Sequence, residues 1–233
     1  MDITNNTEAV YLFLFGISIL ASFIDSIAGG GGLLTTPSML LVGINPLTVL
    51  GTNKFQSSFS TFTSSRNYYA NGYLTDIHRN KYFILSFIGS SAGTLMVSRL
   101  SDEILRTLIP ILLITVAVFF IINRQVKTDL SNYIVLLTPL IFLIGFYDGF
   151  FGPGTGSFFV MLFLVFKDQS LLESTATSKL LNFASNFAAF IIFAFQGFVM
   201  WELGLIMAVG GTGGAYLGSK SAIKVGDKLI RPI

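Results

Sequence analysis

Of 233 residues, 52% are hydrophobic and only 11% charged, with a formal net charge of +2; a soluble domain carries about 25% charged residues, so this composition belongs in lipid. Cysteine is absent, which excludes disulfides, thiol chemistry and Cys-ligated metals. No basic tract interleaves with aromatic residues, which excludes nucleic acid as a partner, and nothing calls for a metal or other cofactor.

Residues 1–8 hold no lysine or arginine ahead of the first apolar run, so that run reads as a retained transmembrane helix and not a signal peptide. It spans 9–28, long enough to cross most of about 30 Å of hydrocarbon. Gly29, Gly30, Gly31 and Gly32 then break it. A ten-residue apolar piece with Pro37 follows at 33–42, then helices at 47–69, 82–97 and 104–122. Gly89 and Gly93, four apart, have the small-xxx-small spacing that lets helix backbones approach closely. After a polar linker at 123–132 the pattern restarts at 133–151, 157–166, 171–195 and 203–218, the last carrying Gly210, Gly214 and Gly218.

The restart is a repeat. Asp25 and Asp148 are 123 positions apart, as are Gly29 and Gly152; Lys54 and Lys179 are 125 apart, as are Gly72 and Gly197. Residues 1–123 therefore form one transmembrane repeat and 124–233 a second. By this register Pro110 falls near Pro232, and the second repeat is expected to stop where its last helix would begin. Lysine and arginine orient the halves. With the basic 70–81 connection in the cytoplasm, ten positive residues lie inside, two outside and two within the membrane. The N-terminus is then outside and the halves have opposite topology, a transporter signature. The fold expected is an all-α polytopic membrane protein of two inverted-topology repeats with glycine-broken short helices.

An ionisable residue within a membrane points to a functional site, and each half has two. Asp25 precedes the first glycine break and Asp148 the second, at Gly152, Gly154 and Gly156. Lys54, Ser57 and Thr61 follow i, i+3, i+7 spacing on one helix face, with Asn53 beside the lysine; Lys179, Asn182 and Asn186 repeat it. A fixed cation with oriented donors in a low-dielectric cavity suits a small anion, and the glycine breaks allow close backbone approach. The bland reading pairs Asp25 with Lys54, and Asp148 with Lys179, as structural ion pairs. Ser and Thr of 57–65 commonly bond back to their own helix, and glycine runs are often packing devices. His78 reads as a solvated loop residue, and Trp201 with Glu202 as an interfacial anchor.

Three functions compete. A secondary transporter would hold a small anion at Lys54, Lys179, Asn53, Ser57, Asn182 and Asn186, with Asp25 and Asp148 tuning the lysines or carrying a coupling proton. A cation- or proton-coupled transporter would instead bind at Asp25 and Asp148. A scaffold would tolerate loss of all four charges, and an enzyme has too few nucleophiles and bases to build from.

The paired motifs resemble the TauE/SafE family of membrane proteins, exporters of sulfite and organosulfur anions, in its YfcA-type branch. The resemblance is carried by Phe23-Ile-Asp-Ser-Ile-Ala-Gly-Gly-Gly-Gly-Leu33, Thr52-Asn-Lys54, Gly145-Phe-Tyr-Asp-Gly-Phe-Phe-Gly-Pro153, Gly156-Ser-Phe158, Lys179-Leu-Leu-Asn182 and Lys228-Leu-Ile-Arg-Pro232. It implies a bacterial inner-membrane location and transport of small sulfur-containing or related organic anions. Family members usually continue past the last motif into a final apolar helix. Homo-oligomerisation is left open.

Overall fold

The computed structural model describes residues 7–122, 130–167 and 169–226. Every regular element among them is helical: α1 (Thr7–Ala28), α2 (Gly32–Leu41), α3 (Pro46–Ala70), α4 (Arg79–Val97), α5 (Asp102–Ile122), a 3-10 segment (Ser131–Leu136) running into α6 (Leu137–Phe150), α7 (Thr155–Lys167), α8 (Leu171–Phe195) and α9 (Trp201–Val225). The chain is an all-α polytopic membrane protein. Helices α1, α5 and α8, and the 3-10 segment continued by α6, are long and apolar enough to cross a bilayer, whereas α2 and α7 are short apolar helices.

The expected elements are present with two shifts. The stretch from 133 opens as a 3-10 turn because Pro139 has no N–H to give and fits only the first turn of α6. Helix α9 extends beyond 218 to Val225, where Gly226 at φ +72° closes it. Most of the 123–132 linker lies outside the described residues. So do Lys228–Pro232 and the expected stop before a final helix.

Packing interlocks the two halves. Helix α1 lies along α9, α4 along α6, and α3 and α8 meet centrally. The glycine spacing explains how the outer pairs approach. A Cβ on Gly93 would meet the Phe146 carbonyl and one on Gly149 the Ser90 carbonyl; across the other pair, Gly214 faces the Ile19 backbone and Gly218 faces Phe23 and Ser26. Without appreciable hydrophobic drive between helices in lipid, such close backbone contact is a main source of association. Ser86 and Ser90 hydroxyls add bonds to the Leu181 and Ser185 carbonyls of α8, at 2.9 and 2.6 Å.

Hydrogen bonds sort the connections into two ends. At one, Lys167 pairs with Asp76 at 3.1 Å, Gln169 donates to Asp76 at 3.3 Å, and Thr75 donates to Glu173 at 3.1 Å. Leu130 N–H, just before α6, bonds the Val165 carbonyl near the same end. At the other, Arg106 reaches Asn45, Gln196 reaches Ser98, and Tyr11 reaches Glu202. Helices α1 and α6 thus begin at opposite ends.

Candidate functional site

The site forms where the two glycine breaks touch. Gly29 and Gly30 take φ of +91° and +88°, Gly152 and Gly154 of +101° and +88°, a region L side chains rarely enter. These turns let α2 and α7 start at the seam and run back toward the ends at which α1 and α6 begin. Gly29 abuts Gly156 and Ser157, and Gly32 abuts Pro153. Ser157 Oγ ties the breaks together by donating to the Ala28 carbonyl at 2.8 Å.

Each break ends beside the other half's lysine, and this corrects the expected ion pairs. Lys54 Nζ bonds Asp148 Oδ1 at 2.8 Å, and Lys179 Nζ bonds Asp25 Oδ2 at 2.9 Å. The aspartates sit just before their breaks, the breaks lie against each other, and α3 and α8 each deliver a lysine across that seam. Proximity along the chain is overruled by the interlocked packing. Lys54, Lys179 and Asp148 are almost wholly buried, while the Asp25 side chain keeps 18% of its exposure.

Glycine makes room for both ammonium groups. A Cβ at Gly152 would stand 2.7 Å from Lys54 Nζ and 3.2 Å from Asp148 Oδ1. One at Gly156 would stand 2.8 Å from Asn182 Nδ2 and 3.2 Å from Lys179 Nζ. Gly31 serves differently: its N–H donates to Asp25 Oδ1 at 3.1 Å.

A polar cavity of about 30 Å³ lies at this seam, room for one or two water molecules. Of the residues expected from sequence, Asp25, Gly30, Gly31, Gly32, Asn53, Lys54, Ser57, Thr61, Asp148, Gly152, Gly154, Gly156, Asn182 and Asn186 line it. Lys179 stands behind Gly156, held by Asp25, and Gly29 packs against the opposite break. Gln56, Ser60, Ser22 and Thr155 also line the cavity and were not expected. Gln56 and Ser60 follow Asn53 at i+3 and i+7, so a helical wheel anchored on Asn53 instead of Lys54 would have found both.

Hydrogen bonding fixes much of the lining. Thr35 Oγ1 donates to Asn53 Oδ1 at 2.7 Å, Gln56 Nε2 donates to Ser57 Oγ at 2.9 Å, and Asn186 Nδ2 donates to the Asn182 carbonyl at 2.8 Å. The run of hydroxyls on α3 is mostly structural: Ser58, Ser60, Thr61, Thr63 and Ser64 each bond the carbonyl four residues back. His78 is exposed in the α3–α4 connection. Among the described residues, no cluster of three or more His, Asp or Glu side chains could hold a metal ion.

Above the site, Phe55, Phe190 and Trp201 pack edge-on or tilted with centroids 4.9–6.1 Å apart. They are continuous with the apolar cluster of Leu50, Phe193 and Val199. Below it, Tyr68 donates to the Ser26 carbonyl at 2.8 Å. Aromatic and apolar packing thus lies toward one end of the site, and Tyr68 toward the other.

Comparison with known proteins agrees with this architecture. The model of the family described as "Sulfite exporter TauE/SafE" matches residues 14–233. A Sinorhizobium sp protein named "Probable membrane transporter protein ORF9" is 40% identical over 227 residues, covering 95% of this chain and 86% of its own. The Escherichia coli K12 protein "Probable membrane transporter protein YfcA" is 37% identical over 225 residues, covering 94% and 83%. A Haemophilus influenzae "Probable membrane transporter protein" is 36% identical over 242 residues, covering 100% and 92%. No solved structure matches the chain.

Proposed function

Because the chain belongs to the TauE/SafE family of membrane transporters, we propose that it is a secondary transporter of a small anion, such as sulfite or an organosulfonate, in the bacterial inner membrane. One observation carries the reading: two buried ammonium groups, one from each half, stand at a single polar seam. Asn53, Ser57, Asn182 and Asn186 orient the cargo there, and the glycine breaks let the backbone come close. Alternating access between two inverted repeats accounts for the geometry. It is supported by the opposed ends at which α1 and α6 begin, and by the matched packing of α1 on α9 and α4 on α6. A 30 Å³ cavity is too small for a sulfonate, which fits a resting state that widens on one side at a time.

The basic 70–81 connection and Lys167 share one end, which supports placing that end in the cytoplasm and the N-terminus outside. A panel of sulfite, thiosulfate, sulfoacetate and short carboxylates, screened by thermal shift and then by flux in proteoliposomes, tests the anion reading. Stabilisation and flux by at least one of them is expected; no response to any, with flux driven by Na⁺ alone, overturns it. The second reading, a cation or proton at Asp25 and Asp148, is favoured by the fact that each lysine already faces a carboxylate.

A further inference from the structure

The two crossed ion pairs are not equivalent. Asp25 has both oxygens engaged, Oδ2 by Lys179 at 2.9 Å and Oδ1 by the Gly31 N–H at 3.1 Å. Asp148 has only one: Oδ1 accepts from Lys54, while Oδ2 has no hydrogen-bond partner among the described residues although the residue is 2% exposed. An orphaned buried polar atom calls for an explanation. Two more unpartnered acceptors share the cavity, Gln56 Oε1 and Asn182 Oδ1. The unmet demand here is for donors, and an anion alone brings none.

Resting on the anion reading above, we propose that Asp148 Oδ2 is the seat of a proton that travels with the cargo anion. The proton passes from the aqueous side onto Oδ2, forming one O–H bond and neutralising the carboxylate. Lys54 then keeps its charge without a counter-ion, and the anion takes the place of the carboxylate beside it. The new Asp148 hydroxyl can donate to Asn182 Oδ1, Gln56 Oε1 or the cargo, supplying the missing donor. On the opposite side the anion leaves, the proton returns to water, and the Lys54–Asp148 pair reforms. A monoanion therefore crosses as a neutral load, one proton per anion, with no bond in the cargo broken.

A proton fits better than a metal cation. Hard cations such as Ca²⁺ take about six to eight oxygen ligands, and three free oxygens beside an ammonium fall short. The charged group facing Asp148 is Lys54 on α3; Asp25 on α1 lines the same cavity, and Lys179 on α8, paired with Asp25, stands behind Gly156. Helices α4 and α7, also packed on α6, contribute no ionisable side chain to its lining. Tyr147, next in sequence, is occupied by the Pro153 carbonyl at 2.6 Å.

Methanesulfonate tests this because it is a strong-acid anion that carries no proton of its own. Calorimetric titration of the purified protein in two buffers of different ionisation enthalpy counts protons taken up per anion bound. About one is expected, with affinity falling about tenfold per pH unit on the alkaline side, the slope of a single linked proton. Asp148→Asn should bind with a count near zero and a flat pH dependence, whereas Asp25→Asn should keep the count of one at altered affinity. Binding without proton uptake, an unchanged count in Asp148→Asn, or a requirement for Na⁺ in place of a proton overturns the assignment and leaves the anion reading standing. Failure of methanesulfonate, sulfite, thiosulfate, sulfoacetate and acetate all to bind overturns both. Should Asp148→Asn not fold, infrared difference spectra of the unaltered protein decide the matter: a protonated-carboxyl C=O band must appear on anion binding, and its absence refutes the assignment.

Discussion

Lys54 on α3 takes its counter-charge from Asp148 on α6, at 2.8 Å, so the first half's cation is held by the second half's anion. Removing one member leaves the other buried and unpaired, which costs about 3–5 kcal/mol. Lys54→Ala should therefore lower thermal stability in detergent and abolish flux. The double substitution Lys54→Met with Asp148→Leu removes both charges and should recover most of the stability but none of the transport. A double variant no more stable than Lys54→Ala would show that the pair is not coupled.

Glycines on one helix should differ sharply in tolerance. On α9, Gly214 faces the Ile19 backbone, while Gly213 has nothing within 4 Å. Gly214→Ala forces α1 and α9 apart, at about 1–3 kcal/mol for an overpacked contact. Gly213→Ala has open space and should stabilise by about 0.5–1 kcal/mol through the helix preference of alanine over glycine. Thermal unfolding of the two variants side by side checks this, and equal shifts would contradict the close packing.

Gly152→Ala should act on the site itself. Its φ of +101° strains any L side chain, and the added methyl would stand 2.7 Å from Lys54 Nζ. The strain costs on the order of 1–3 kcal/mol, and the displaced ammonium should reduce anion affinity beyond what stability loss explains. Binding measured well below the unfolding temperature separates the two effects.

The contacts around Asp76 join the α3–α4 connection to the end of α7, so in the proposed alternating-access cycle that end should open only when they part. Asp76→Asn weakens the pair with Lys167; the lysine side chain is 21% exposed but that of Asp76 only 2%, and Asp76 also accepts from the His78 N–H, so the stability cost should exceed the roughly 1 kcal/mol of an exposed pair. Access should change as well. With no native cysteine, Ser57→Cys is a clean reporter, and its labelling from the Asp76 end should quicken when Asp76→Asn is added. Unaltered labelling would mean that the Asp76 contacts do not gate the cavity.

Sidedness follows from the same single-cysteine strategy. His78→Cys should react with a membrane-impermeant maleimide only after permeabilisation, and Gln196→Cys in intact cells. The reverse pattern would invert the proposed orientation.

The chain's hydropathy, its glycine breaks and the duplicated Asp and Lys positions are local signals, and they located the helices and most of the cavity lining from sequence. What escaped was partnership. Asp25 lies nearer Lys54 than Lys179 in the chain, and nothing in spacing reveals that α1 packs on α9 and α4 on α6, the arrangement that crosses the pairs. Gln56 escaped for a narrower reason, since it stands off the stripe drawn through Lys54 but on the one drawn through Asn53. The hydroxyls of 57–65 looked functional by density, yet five bond to carbonyls of their own helix.

The crossed charges also bear on biogenesis. When the first half has left the ribosome, the counter-ions of Lys54 and Asp25, Asp148 on α6 and Lys179 on α8, have not yet emerged. The nascent segment must wait in the insertion machinery, or with water still around it, until α6 and α8 arrive. Insertion thus becomes an all-or-nothing event for the two halves, and a stop codon between them should yield a fragment cleared by membrane proteolysis.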